Sequence, residues 1–210
     1  MLKRIASARW LPMLSCALLL AGCSSSTSPA LGRLAVQLTD APFPTDSVAR
    51  ADVFVVRIEV RAAADSTQAD STQADSSQAD STTGWITVAT PNTSFNLIDL
   101  QNGTTVDLGG TTLPTGTYDA VRLILNTDSS SLTLNDGTVL NGNSTPGITW
   151  PSAGQTGIKV MLDQPIDLTA GGTLMVVDFD LGNSFVMRGR TITQQGLLFK
   201  PVVRASAQTS

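Results

Sequence analysis

One thiol stands out among the groups in this sequence that could undergo chemistry. Leu20-Ala21-Gly22-Cys23 closes an apolar run that begins at Trp10, and Lys3, Arg4 and Arg9 lie on its N-terminal side. A basic start, an apolar stretch too short to cross a bilayer core, and small residues ahead of a cysteine make up a bacterial lipoprotein export signal. The spacing predicts cleavage before Cys23, with Leu20, Ala21 and Gly22 read by the signal peptidase and the Cys23 sulfur taking diacylglycerol. An N-acyl chain on the new amino terminus, such as palmitate, completes three tails. At about 0.8 kcal/mol per buried methylene, three chains make release from a membrane negligible. Cys16 is a poorer acceptor, because Met13-Leu14-Ser15 sets bulky groups where small ones are needed. Ser24 follows the acylated position; in a cell with two membranes, the lack of aspartate there favours the outer one.

The other reactive residues are few. There is no histidine, Cys16 leaves with the signal, and Glu59 is the sole glutamate. His-based triads, Cys–His nucleophiles, His-ligated zinc and disulfides are thereby excluded. Asp178 and Asp180 lie two apart on one strand face, and with Asp40 they offer oxygen ligands for calcium. They lack the dense Asp/Asn/Gly loop of a dedicated calcium motif, so they read as solvated carboxylates and turn caps, with no metal expected. Asp40, before Ala41-Pro42, reads as a cap on its own turn. An aspartate-dependent hydrolase needs two carboxyls with separated pKa values in a cleft, which nothing here marks, and no enzyme is expected. Trp150, beside Pro151 in a Gly/Ser-rich stretch, is the better candidate for stacking on a sugar, whereas Trp85 and Tyr118 read as core. Lys159 and Lys200 lie in strands, but an isopeptide bond needs a buried acid, and alternation puts Glu59 on the outward face of its strand. Ser66, Ser71 and Ser81, each between Asp and Thr, match an acceptor pattern for bacterial O-glycosylation, although a tandem expansion tolerated in an exposed loop is the better explanation of them.

Behind these residues stands one β domain. Removing residues 1–22 from a chain of 210 leaves 188, room for a single core. Ten Lys and Arg then face 17 Asp and Glu, an acidic balance that argues against a nucleic-acid partner and leaves membrane contact to the lipid. Residues 23–31 form the acylated cysteine and a polar tether, residues 32–205 the domain, and 206–210 a tail. Leu34, Val36 and Leu38 alternate with polar or small residues, and Phe54, Val56, Ile58 and Val60 alternate with Val55, Arg57, Glu59 and Arg61, so both stretches are expected as half-buried strands. Further strands are expected at 85–88, 95–100, 104–108, 117–125, 131–134, 157–162, 173–181 and 197–204, with turn residues such as Asn102-Gly103, Asp136-Gly137 and Gly171-Gly172 between them. No stretch carries a sustained helical period, and many short strands at this spacing predict an antiparallel sandwich. Residues 64–78 are three copies of Ala-Asp-Ser-Thr/Ser-Gln and residues 79–83 a degenerate fourth. Too polar to offset ordering entropy, the tract at 64–83 is expected to be a disordered loop between two strands.

Taken in order, Leu38-Thr39-Asp40-Ala41-Pro42, Leu113-Pro114-Thr115-Gly116-Thr117-Tyr118 with Val121-Arg122-Leu123, Gly157-Ile158-Lys159, Asp178-Phe179-Asp180-Leu181 and Lys200-Pro201-Val202-Val203-Arg204 resemble a bacterial lipoprotein family, domain of unknown function number 4382. The resemblance implies a transthyretin-like (prealbumin-like, immunoglobulin-like) β-sandwich and a lipid anchor, and brings no activity, ligand or cofactor with it. The expectation is a non-enzymatic structural or ligand-binding module of the cell envelope, without cofactor beyond the lipid on Cys23, its partner an envelope protein or a polysaccharide. A carbohydrate-binding or adhesive module using Trp150 is the alternative.

Overall fold

Strands form where branched and aromatic side chains alternate with polar ones, and they end at Gly, Pro and Asn. The computed structural model of the protein describes residues 29–42, 47–63, 79–80, 84–151 and 153–209. Its strands are β1 (Leu31–Asp40), β2 (Val48–Ala62), β3 (Ala79–Asp80), β4 (Trp85–Ala89), β5 (Thr93–Asn96), β6 (Val106–Pro114), β7 (Gly116–Leu134), β8 (Val139–Leu140), β9 (Ile148–Thr149), β10 (Ile158–Leu168), β11 (Thr173–Phe179), β12 (Phe185–Met187), β13 (Leu197–Phe199) and β14 (Val203–Thr209). Single helical turns α1 (Leu181–Ser184) and α2 (Ile192–Gln195) interrupt them late in the chain.

Two sheets pack into an all-β sandwich. One has the order β14-β11-β1-β6; the other runs β10-β7-β2-β4-β3, with β5 also on β2 and β8 on β7. A small sheet, β12-β13-β9, lies beside them. Leu34, Val36 and Leu38 of β1, Met175, Val177 and Phe179 of β11, and Ile58, Val60, Val121, Leu123 and Leu125 of the second sheet fill the space between, all at 2% exposure or less. At roughly 1.5–3 kcal/mol per side chain removed from water, this layer supplies the main force for folding.

Several expectations change once the strands pair. The alternation in β2 is broken at Val56: Val55 pairs with Leu125 and Arg57 with Ile124, leaving Val56 unmatched. This bulge shifts the phase, so Ala51, Val53 and Val55 point inward in the first half and Ile58 and Val60 in the second, while Phe54 and Val56 are only half-buried. Residues 95–100 are not one strand, since Leu97–Leu100 close a 3-10 turn that buries Leu97 and Leu100. The two runs expected at 117–125 and 131–134 belong to one strand, β7, which stays continuous because the Ser130 hydroxyl accepts from the Phe54 N–H and donates to the Asn126 carbonyl. Residues 206–209, expected in a tail, extend β14 and pair with β11 as far as Thr209 and Thr173. The sandwich is also not wholly antiparallel: β1 pairs with β11 in parallel, and β13 with β9. Neither pair is joined by a hairpin, so no tight turn imposes the antiparallel sense.

Candidate functional site

Parallel pairing of β1 and β11 brings their C-terminal ends together, setting Thr39 opposite Asp178 and Asp40 opposite Phe179. The acidic residues singled out from the sequence therefore do gather at one end of the sandwich. Asp40 is 3% exposed, and its Oδ1 accepts a hydrogen bond from the Leu181 N–H at 3.0 Å. It thus caps the chain after β11, 141 residues away, rather than its own turn. Burial pushes the Asp40 carboxyl up to about 7; the Leu181 N–H opposes this, the negative charges of Asp178 and Asp180 add to it, and Gln101 pulls it back. Asp178 is also raised by burial, against the pull of Arg204, its cross-strand partner on β14. Asp180 caps α1, accepting from the Asn183 N–H at 3.0 Å and from Nδ2 at 2.8 Å. Asp40 Oδ1 and both oxygens of Asp180 are thus taken by backbone and neighbours, whereas Asp40 Oδ2 and Asp178 Oδ1 are buried without a hydrogen-bond partner; among the described residues no group of three or more Asp, Glu or Cys is arranged to hold a metal ion.

Trp150 does not stand out as a stacking platform. Its ring packs against Phe199 with centroids 4.5 Å apart and meets Phe185 edge-on at 5.7 Å, so it covers the core beneath the small sheet. Tyr118 is core, as its alternation indicates, and its hydroxyl donates to the Pro114 carbonyl at 2.9 Å. Lys159 and Lys200 are exposed, away from the buried acid that an isopeptide bond requires.

The most developed polar arrangement lies elsewhere, on the outer face of the second sheet. Glu59 does occupy the outward side of β2, yet it is 4% exposed, because arginines close over it. Arg57 donates from Nε to its Oε1 at 2.8 Å, and Arg122, opposite it on β7, donates to Oε2 at 2.5 Å. Trp85 is 5% exposed but belongs to this outer layer, not to the core between the sheets: the guanidinium of Arg122 lies 4.6 Å and that of Arg61 5.6 Å from its ring centroid. Arg61 also makes a two-point pair with Asp119 at 2.9 and 3.1 Å and reaches over the small Ala120 to the Met161 sulfur at 3.6 Å. Such stacking and pairing fix planar guanidiniums in place. Lys159 stands opposite Arg122 on β10, exposed and without an ion pair among the described residues. Sequence reasoning missed this assembly because its members come from four strands; its one visible trace was the alternating Arg57, Glu59, Arg61 run.

Cys23, Leu20, Ala21, Gly22, Ser66, Ser71 and Ser81 lie outside the described residues, as do all of 64–78 and 81–83. No helix of the described residues is long and apolar enough to cross a membrane. No curated protein matches the chain, and no solved structure does. A family model matches residues 31–201, the segment that runs from the start of β1 to just before β14, and the chain belongs to that family, described as a domain of unknown function, DUF4382.

Proposed function

We propose that this protein is a lipid-anchored component of the bacterial cell envelope, in which a β-sandwich held at a membrane surface serves as a non-enzymatic structural or ligand-binding module. One observation carries the reading: Leu20-Ala21-Gly22-Cys23 ends a short apolar run behind a basic start, and the first strand begins only eight residues after the cysteine, at Leu31. A tether that short ties the sandwich to the place where the lipid sits. The acidic balance of the mature chain fits an anchor that works by acyl chains, since an anionic surface would repel the domain. The absence of Asp after Cys23 favours the outer membrane where two membranes exist. A polar sheet face whose side chains are already paired and stacked suits binding better than turnover.

Metabolic labelling with an alkyne fatty acid, followed by fractionation, tests the anchor. Wild-type protein is expected to take the label and sediment with membranes, while Cys23→Ser is unlabelled, keeps its signal and is not matured. Wild-type protein that stays unlabelled overturns the reading.

A further inference from the structure

The outer face of the second sheet collects positive charge on a chain that is otherwise acidic. Of the ten Lys and Arg that remain beyond the signal, four lie on this one face, namely Arg57, Arg61, Arg122 and Lys159, against Glu59 and Asp119. Register places them in rows across three strands: Glu59, Arg122 and Lys159 form one, and Arg61, Ala120 and Met161 the next. Arg122 is the support of the face, only 11% exposed and fixed between Glu59 and Trp85. Arg57, 43% exposed, spends its Nε on Glu59, and Lys159 is exposed with no ion pair among the described residues. These two cations sit on either side of β7, about two strand spacings apart sideways and two residues apart lengthwise, roughly 12 Å in all. A small anion would meet both only if the two side chains leaned together over β7.

We propose that this face binds an acidic polysaccharide, its carboxylate or sulfate oxygens taken by Arg57 and Lys159, with Arg61 at the rim and the Met161 side chain packing against the sugar ring. Cations set on two strands either side of β7 suit a ligand that repeats its negative charge along an extended chain. Met161, 61% exposed, is the one large exposed apolar side chain here among the described residues, so the apolar centre that a protein partner of ordinary size requires is missing. A single-stranded nucleic acid would need an open aromatic ring for its bases, and Trp85 is covered by guanidiniums. Because Glu59 and Trp85 hold the arginines in place beforehand, little side-chain freedom is lost when an anion arrives.

This inference deepens the reading of the domain as a binding module and does not depend on the anchor. The test uses the full chain purified in a neutral detergent, with polygalacturonate and heparin as probes, and dextran, double-stranded DNA and anionic lipid vesicles as controls. Polygalacturonate or heparin is expected to bind, more weakly as salt rises, with dextran, DNA and vesicles bound at least tenfold more weakly. Lys159→Glu, which touches no ion pair, is expected to weaken glycan binding about tenfold at an unchanged Tm, and Arg57→Gln, which keeps a donor for Glu59, to weaken it severalfold. Lys200→Glu, away from the face, is expected to bind as the parent does. No binding of either acidic glycan at low salt overturns the proposal, as does equal binding by Lys159→Glu, or DNA or vesicles bound as tightly as the glycans. Each of these outcomes leaves Cys23 labelling untouched, so the ligand and the anchor fail separately.

Discussion

Asp40 ties the stability of the protein to pH, with Asp178 adding a smaller effect of the same sign. The ordinary Asp40 value near 3.8 rises to about 7 in the fold, first because burial removes water from it. The folded state therefore holds a proton that the unfolded chain has already lost between these values. Stability is greatest while Asp40 is protonated in both states, falls as pH climbs from about 4 to about 7, and is level above that. Three pH units correspond to a penalty of roughly 4 kcal/mol when Asp40 is fully ionised. Asp40→Asn keeps an oxygen for the Leu181 N–H and removes the charge. We expect it to raise Tm at pH 8, to leave Tm nearly unchanged at pH 4, and to flatten the profile between; thermal melts across that range check this. An Asn variant no more stable than the parent at pH 8 would show that the buried carboxylate carries no such cost.

Strands were legible because alternation is local, and bulges were not because they exist only in pairing. Leu34, Val36 and Leu38 turn inward as their spacing requires, whereas the run from Phe54 to Val60 was read in one phase and occurs in two. Nothing between Val53 and Ile58 announces the extra residue, since Val55 and Val56 have the same side chain; the partner residues Leu125 and Ile124 on β7 decide which of them goes inside. That identity makes a sharp test. Val55→Thr puts a hydroxyl into the core at a fully buried site and is expected to cost about 1–3 kcal/mol, while Val56→Thr is expected to stay within about 0.5 kcal/mol. An unbroken alternation demands the opposite order, so chemical denaturation of the two variants separates the alternatives. The same reasoning explains which sites were seen. Asp178 and Asp180 share a side as their spacing of two requires, but Asp40 joins them only through the parallel pairing of β1 with β11, and the closing of Arg57 and Arg122 over Glu59 needs residues 63 apart to meet across β2 and β7. The Gly/Ser-rich context of Trp150 leaves exposure and burial both open in the sequence, and in the fold its half-buried ring packs onto Phe185 and Phe199.

At the scale of the whole molecule, the direction of β1 sets the two ends of the sandwich apart. The strand begins at Leu31 beside the β6–β7 turn, where the Thr115 N–H donates to the Ala30 carbonyl. Ala63, at the end of β2, donates to Thr117 at this same end, so the chain also departs for the pentapeptide tract from here. Asp40, α1 and the Asp136-Gly137 turn belong to the other end, about 30 Å away along the ten residues of β1. With the proposed acylation, Cys23 lies eight residue steps before Leu31, a reach of at most about 29 Å when fully extended. That is no longer than the sandwich, and the acidic domain is repelled by anionic headgroups, so the anchored molecule is expected to stand with the Leu31 end towards the lipid and the Asp40 end outward. The proposed acylation would use Cys23, the single thiol beyond the signal, and leave an introduced cysteine as the sole target for a dye. In vesicles carrying a headgroup quencher, a dye on Thr115→Cys is expected to be quenched severalfold more than one on Asp136→Cys, and lengthening the tether by twenty Gly/Ser residues is expected to shrink that difference. Equal quenching at the two positions with the native tether would show that the strand's entry point does not set which end faces the membrane.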